Sequence, residues 1–157
     1  MNRLRIVLAT ALFVCAACRE STGPVLSAST TGSIVVSFNT QLSALKRDLY
    51  DIESVRLDGD TLHLKIQHAG GCALHEYGLV AYNGWMESHP VQVAATLLHD
   101  GNGDNCDALI TAELHYDLTP LRLAYVEAYR TAHDTIVIQL SDPSPGSGQP
   151  ASVTYTF

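Results

Sequence analysis

Residues 99–107 read His99-Asp100-Gly101-Asn102-Gly103-Asp104-Asn105-Cys106-Asp107, the most unusual segment in the chain. Asp100, Asn102 and Asp104 recur at every second position, as in the first half of a calcium loop, where alternate oxygens wrap a hard cation. Two features work against calcium. Asn105 stands where that loop needs its sharp-turning glycine, and Thr111 stands where a bidentate Glu would close the site. Asp, Asn and Gly are also the residues a tight turn selects. The sequence therefore favours a polar turn over a calcium site.

His75 and His99 suggest a second chemistry. Each lies close in sequence to a cysteine, Cys72 or Cys106. If those cysteines join, both imidazoles are drawn to one region. There, with Glu76, Asp100 or Asp104, they form a nitrogen and oxygen donor set suited to zinc. Zinc requires ring nitrogens about 2.0–2.1 Å from one point, hence within about 4 Å of each other. In the competing reading both rings hydrogen-bond loop backbone and only hold its shape. His63, His68, His89, His115 and His133 are scattered and read as polar-face or core residues. Tyr77, Tyr82 and Trp85 surround a turn, with Met86 beside them. They read either as packing at the edge of the core or as a recognition patch for a protein or glycan. Nucleophile-elbow, H-E-x-x-H, phosphate-loop and dinucleotide fingerprints are all missing. A small β-scaffold without them reads as a binding or structural module rather than an enzyme.

The N-terminus sets the compartment. Arg3 and Arg5 precede an apolar run from Ile6 to Val14, followed by Cys15-Ala16-Ala17-Cys18. A charged start, a short apolar run and small residues before a cut form an export signal. The run falls well short of the roughly 20 residues that span a bilayer. The junction resembles the lipobox of bacterial lipoproteins, with Cys15 where Leu is usual. That resemblance implies a signal peptide over 1–17, diacylglycerol on the Cys18 sulfur and acylation (palmitate-type) of its new amino group. Several acyl chains anchor stably where one holds only marginally. Arg19 follows in place of the Asp that often marks inner-membrane retention, so the resemblance favours the outer membrane. Residues 18–33 are rich in Ser, Thr, Gly and Pro and read as a flexible tether. Residues 34–157 then form one β-domain.

Processing changes the balance of charge. Losing Arg3 and Arg5 leaves seven basic against sixteen acidic residues, a formal charge of −9 in place of −7. Such a surface repels phosphate backbones, which argues against nucleic acid, and it offers no broad basic face to anionic lipid. Of four cysteines, Cys15 leaves with the signal and Cys18 takes lipid. Cys72 and Cys106 remain as an even pair in an oxidising compartment and are expected to form a disulfide. The alternative is that both thiols bind metal, although no C-x-x-C pair is present.

The elements that position these residues are mostly strands, because the periodicity is two. Ser33–Phe38 reads as a first strand. Gln41–Tyr50 has a short helical spacing and reads as a helical turn or loop. Ile52–Leu57 and Leu62–Ile66 flank the hairpin signal Asp58-Gly59-Asp60. Tyr77, Leu79 and Ala81 form a strand that Asn83-Gly84 is expected to end. Val91–Leu97 and Ala108–Leu118 alternate strongly and read as the central hairpin, with Ala108, Ile110, Ala112 and Leu114 facing inward. Pro120 breaks the pattern before Leu121–Tyr129, a short helix or connection. Ile136–Leu140 and Val153–Phe157 close the chain around a loop over Asp142–Pro150. The expected fold is all-β, an antiparallel sandwich or partly closed barrel of about seven to eight strands with one disulfide.

A set of motifs ties these parts together. Gly70-Gly71-Cys72-x-x-His75, Glu87-Ser88-x-Pro90, Leu98-His99-Asp100, Gly103-Asp104-x-Cys106 and Tyr116-Asp117-Leu118 resemble a pattern in small uncharacterised bacterial envelope lipoproteins. The pattern covers about a third of the chain. It implies a β-rich lipoprotein domain, lends weight to the two cysteines and carries over no catalytic residue. The sequence thus points to a lipid-anchored envelope β-domain that acts by binding or structural association with an envelope protein or glycan. Its alternative is a zinc or calcium domain, hydrolytic or not, centred on the Cys72–Cys106 region.

Overall fold

The computed structural model describes residues 26–38, 45–141 and 151–157. The export signal, the lipidation site, part of the 41–50 segment and the 142–150 loop lie outside the described residues. The chain runs β1 (Thr31–Ser33), β2 (Val35–Val36), β3 (Asp51–Asp58), β4 (Thr61–Gly70), β5 (Glu76–Met86), β6 (Val91–Asp100), β7 (Ala108–Asp117), α1 (Thr119–Tyr129), β8 (Thr135–Ser141) and β9 (Ala151–Thr156).

Two sheets face each other. One has the order β1-β7-β4-β3 and the other β2-β5-β6-β8-β9. The expected all-β sandwich is therefore what forms, and its sheets are mixed. β3/β4, β4/β7, β5/β6 and β8/β9 pair antiparallel, while β1/β7, β2/β5 and β6/β8 pair parallel. Alternation makes the core. Leu62, Leu64 and Ile66 of β4 and Leu114 and Tyr116 of β7 meet Leu79, Ala81, Val93, Ala95, Leu97, Ile136, Ile138 and Tyr155 of the other sheet. Each fully buried Leu or Ile contributes about 1.5–3 kcal/mol.

Four local expectations change. β6 and β7 do not form a hairpin, because they lie in different sheets. Alternation fixes which face of a strand is buried, but not which strand it pairs with. Asn83-Gly84 does not end β5. The register shifts there, between Tyr82 and Trp85, and the strand continues to Met86, as a bulge allows. Ser33–Phe38 is split, so that β1 joins β7 and β2 joins β5 in the other sheet. Pairing also starts early: Ser27 bridges Tyr77 and Thr31–Ser33 joins β7, ahead of the expected domain start at 34. These Ser- and Thr-rich residues pair through main-chain hydrogen bonds, which need no apolar pattern. Over 45–50 no helix forms, and Leu121–Tyr129 belongs to α1, with Pro120 in its first turn. Among the described residues no helix is long and apolar enough to cross a membrane.

Candidate functional site

The site lies at one end of the sandwich, where β4 ends, β5 starts, β6 ends and β7 starts. The inward-facing series of three strands ends there in polar residues. β4 places Leu62, Leu64 and Ile66 inward, and the next in phase is His68. β5 places Leu79 and Ala81 inward, with Tyr77 preceding them. β6 places Val93, Ala95 and Leu97 inward, with His99 following. Tyr77 and His99 are direct cross-strand neighbours, and their rings stack 5.3 Å apart at 4°. His75 enters from the β4–β5 loop and stacks on His68 at 4.4 Å and on His99 at 5.0 Å. All three histidines are buried, His99 to 1 % exposure.

The loop chemistry fixes this arrangement. Cys72 and Cys106 are disulfide-bonded with Cα atoms 5.9 Å apart, and they tie the β4–β5 loop to the β6–β7 loop. The bond removes the thiol-ligand alternative. Asp104 Oδ2 accepts the backbone N–H groups of Gly71, Cys72 and Ala73 at 2.8–2.9 Å, and Oδ1 accepts that of Cys106. These donors hold the carboxyl well below the usual carboxylate range. Asp100 Oδ1 accepts the Asn102 N–H at 2.9 Å and lies 3.8 Å from Lys46 Nζ. Asp100, proposed from sequence as a ligand, thus stands outside the histidine group. Asn102 Nδ2 donates to the Leu74 carbonyl. The calcium-like spacing thus shapes a turn: the Asp100 and Asp104 oxygens receive backbone N–H groups, and Asn102 takes part as a donor.

Every imidazole has a defined orientation. His68 Nδ1 donates to the Ala69 carbonyl (2.9 Å), so its Nε2 accepts from the Tyr77 hydroxyl (2.8 Å). His99 Nδ1 donates to the Asp48 carbonyl (3.2 Å), which leaves its Nε2 to accept from His75 Nδ1 at 2.8 Å. His75 Nε2 faces Asp104 Oδ2 at 3.2 Å, an oxygen that only accepts. Filling all three bonds along Asp48–His99–His75–Asp104 takes three protons on two rings. Burial pushes His68 and His99 below the ordinary histidine value and Tyr77 above the ordinary tyrosine value. Asp48 is positioned by residues 46–48, which run along the end of β6: Asp48 N–H donates to the His99 carbonyl, and Gly101 N–H donates to Asp48 Oδ2.

Two clefts flank the cluster. One of about 260 Å³ is lined by Ala28, His68, Ala73, Leu74 and Tyr77, the other of about 330 Å³ by Asp48, Leu49, His99, Gly101 and Asp104, and His75 borders both. Ile110 lines the first cleft and Ala108 is exposed beyond it. The inward face of β7 thus leaves the core at this end, so Ala108 is not the inward residue its phase suggested.

The structure brings His75 and His99 together, as the sequence suggested, and adds His68 and Tyr77. His68 was readable as the next in-phase position after Ile66. Tyr77, Tyr82 and Trp85 do not form one exposed patch. Tyr77 is buried in the cluster, Tyr82 bonds Ser141 Oγ at 3.4 Å, and Trp85 packs edge-on against Phe38, Tyr125 and Tyr129. The bulge between Tyr82 and Trp85 reorients Trp85 toward α1.

No protein family and no curated protein matches the sequence. Among solved structures, the chain is similar to a NigD-like immunity protein from Bacteroides caccae, at 20 % identity and a TM-score of 0.60 over 80 % of this chain and 64 % of that one. It is also similar to a putative toxin-related protein from Parabacteroides distasonis, at 15 % identity and a TM-score of 0.53 over 80 % and 60 %. The chain therefore spans less than two thirds of the length of either protein. At these identities the likeness is one of fold.

Proposed function

We propose that the mature protein is a lipid-anchored β-sandwich of the bacterial envelope that acts by binding another protein there. The observation that carries this reading is how the four cysteines are used. Cys15 follows the apolar run at the end of the expected signal, Cys18 closes the Ala-Ala-Cys junction, and Cys72 and Cys106 are bonded to each other. Disulfides persist in exported proteins and are rare in reducing compartments. The two proteins of like fold are described as an immunity protein and a toxin-related protein. Carried here as part of the proposal, they give the partner's class as a protein of a toxin–immunity system.

The anchor is tested by expressing the full chain in a Gram-negative host, separating its membranes and measuring intact mass. The expected species starts at Cys18, carries lipid and is two hydrogen atoms lighter for the disulfide. Cys18→Ser is expected to release the domain or leave it unprocessed, and a processed variant that still sediments with membranes refutes the anchor. The binding role is tested by cross-linking in intact cells. A discrete adduct with one other protein is expected, and a chain recovered only as uncross-linked monomer counts against it.

A further inference from the structure

We infer that His68, His75 and His99 form a binding site for one transition-metal ion of the imidazole-preferring class, with zinc as its representative, at the end of the sandwich. The inference is independent of the lipid anchor and of the protein partner. It rests on the direction in which each ring is held. A histidine that ligates a metal donates its other ring N–H to a carboxylate or backbone carbonyl, which fixes its tautomer and its aim. All three rings follow that pattern. His68 Nδ1 is tied to the Ala69 carbonyl, His99 Nδ1 to the Asp48 carbonyl and His75 Nε2 to Asp104 Oδ2. The nitrogens left over are His68 Nε2, His75 Nδ1 and His99 Nε2.

Two of them already meet: His75 Nδ1 and His99 Nε2 are 2.8 Å apart. A ring nitrogen of His68 lies within 4.8 Å of a ring nitrogen of each of the other two histidines. Zinc bonds of about 2.0–2.1 Å place tetrahedral ligands about 3.3 Å apart, so modest ring rotations bring all three onto one ion. The ion would take the place of the proton shared by His75 and His99, and that proton leaves to solvent. It would also displace the Tyr77 hydroxyl from His68 Nε2, leaving a phenol oxygen beside the fourth position. Three imidazoles without a thiolate suit zinc, copper or nickel rather than calcium or magnesium. The two clefts that meet at His75 give the ion access, and the negative charge of Asp104 behind His75 favours a cation.

The test uses untagged full-length protein, purified from whichever fraction holds it, with its disulfide intact and stripped of metal by a chelator. Zinc chloride is titrated by calorimetry and bound metal is counted after dialysis. One zinc per chain is expected. His68→Gln, His75→Gln and His99→Gln should each weaken binding by well over tenfold, and Asp104→Asn by about 10–100-fold through loss of the outer contact. His63→Gln and His115→Gln remove a second histidine pair, 2.7 Å apart on the outer face of β4 and β7, and should leave binding unchanged. Because buried variants can misfold, imidazole nitrogen resonances are also followed in the unaltered protein, where zinc should shift three histidines and no others. No uptake at tenfold excess zinc overturns the inference. So does uptake that survives His68→Gln and His99→Gln, or that disappears with His63→Gln.

Discussion

Gly70 lies directly against the imidazole of His75, so that a Cβ on Gly70 would sit 2.5 Å from His75 Nε2 and 3.2 Å from Asp104 Oδ2. Its backbone also has φ +150°, a conformation that side chains rarely adopt. The glycine therefore does two things: it turns the chain out of β4, and it vacates the space that lets His75 reach Asp104.

Gly70→Ala is expected to destabilise the fold by about 2–4 kcal/mol, combining backbone strain with a clash that packed neighbours cannot relieve. Gly59, in the β3–β4 turn, is the control. It has φ +55° and open space around its Cβ position, so Gly59→Ala should cost only the left-handed penalty of about 1–2 kcal/mol. Denaturant unfolding with the disulfide intact measures both. Equal losses at the two positions would show that the His75 contact contributes nothing.

Removing the disulfide should loosen the same end of the molecule. Cys72 and Cys106 are 34 residues apart in sequence, and the chain-entropy account gives about 4 kcal/mol for a loop of that size. Cys72→Ser with Cys106→Ser is expected to lower stability by that order. Hydrogen exchange should rise first at Gly71, Cys72, Ala73 and Cys106, the backbone donors to Asp104. Unchanged exchange at these amides would show that Asp104 alone holds the two loops together.

Tyr116 gives a prediction of the opposite sign. Its ring is buried between the sheets, and its hydroxyl has no hydrogen-bond partner among the described residues. An unsatisfied buried hydroxyl costs about 1–3 kcal/mol. Tyr116→Phe should therefore be neutral or raise stability by about 1 kcal/mol. A loss of more than about 1 kcal/mol would show that the hydroxyl has a bond after all.

How much of this was legible before the structure follows from the kind of signal involved. Alternation marked β3, β4, β7, β8 and β9 and the inward face of Leu62, Leu64 and Ile66, because burial on one face imposes a period of two. The joining of Cys72 to Cys106 followed from counting cysteines in a chain whose N-terminus reads as an export signal. Which strand lies beside which did not follow. β6 and β7 alternate equally well, and only their packing puts them in separate sheets. His68 was missed as a site residue because a histidine continuing an apolar series looks like core. Its place in the cluster shows only when Tyr77 and His99 are set against it. Asp100 looked like Asp104 in sequence. The turn geometry separates them, one capping Asn102 and the other holding four backbone N–H groups.

The last prediction concerns alkaline pH. Tyr125 donates its hydroxyl to Asp134 Oδ2 at 2.7 Å, and Tyr129 donates to Glu87 Oε1 at 2.8 Å. Burial and then these carboxylates push both phenols up to about 12. Burial also raises Tyr77, Tyr116 and Tyr155 above their ordinary value. The sign follows from linkage: a tyrosine ionises near pH 10 in the unfolded chain and later in the fold. Each such group contributes stability that is complete below about pH 10 and is lost as pH rises toward its folded value. Stability should therefore fall steeply between about pH 10 and 12, and tyrosinate absorbance of the folded protein should lag behind that of the unfolded chain. Asp134 gives the acid counterpart. The Tyr125 hydroxyl and the Thr135 N–H lower its pKa, so its contribution holds above about pH 4 and is lost on further acidification. Tyr129→Phe removes one late-titrating group and should make the alkaline decline shallower without changing the acid limb. If the folded and unfolded proteins titrate together near pH 10, neither the Tyr125–Asp134 nor the Tyr129–Glu87 bond holds its proton in solution.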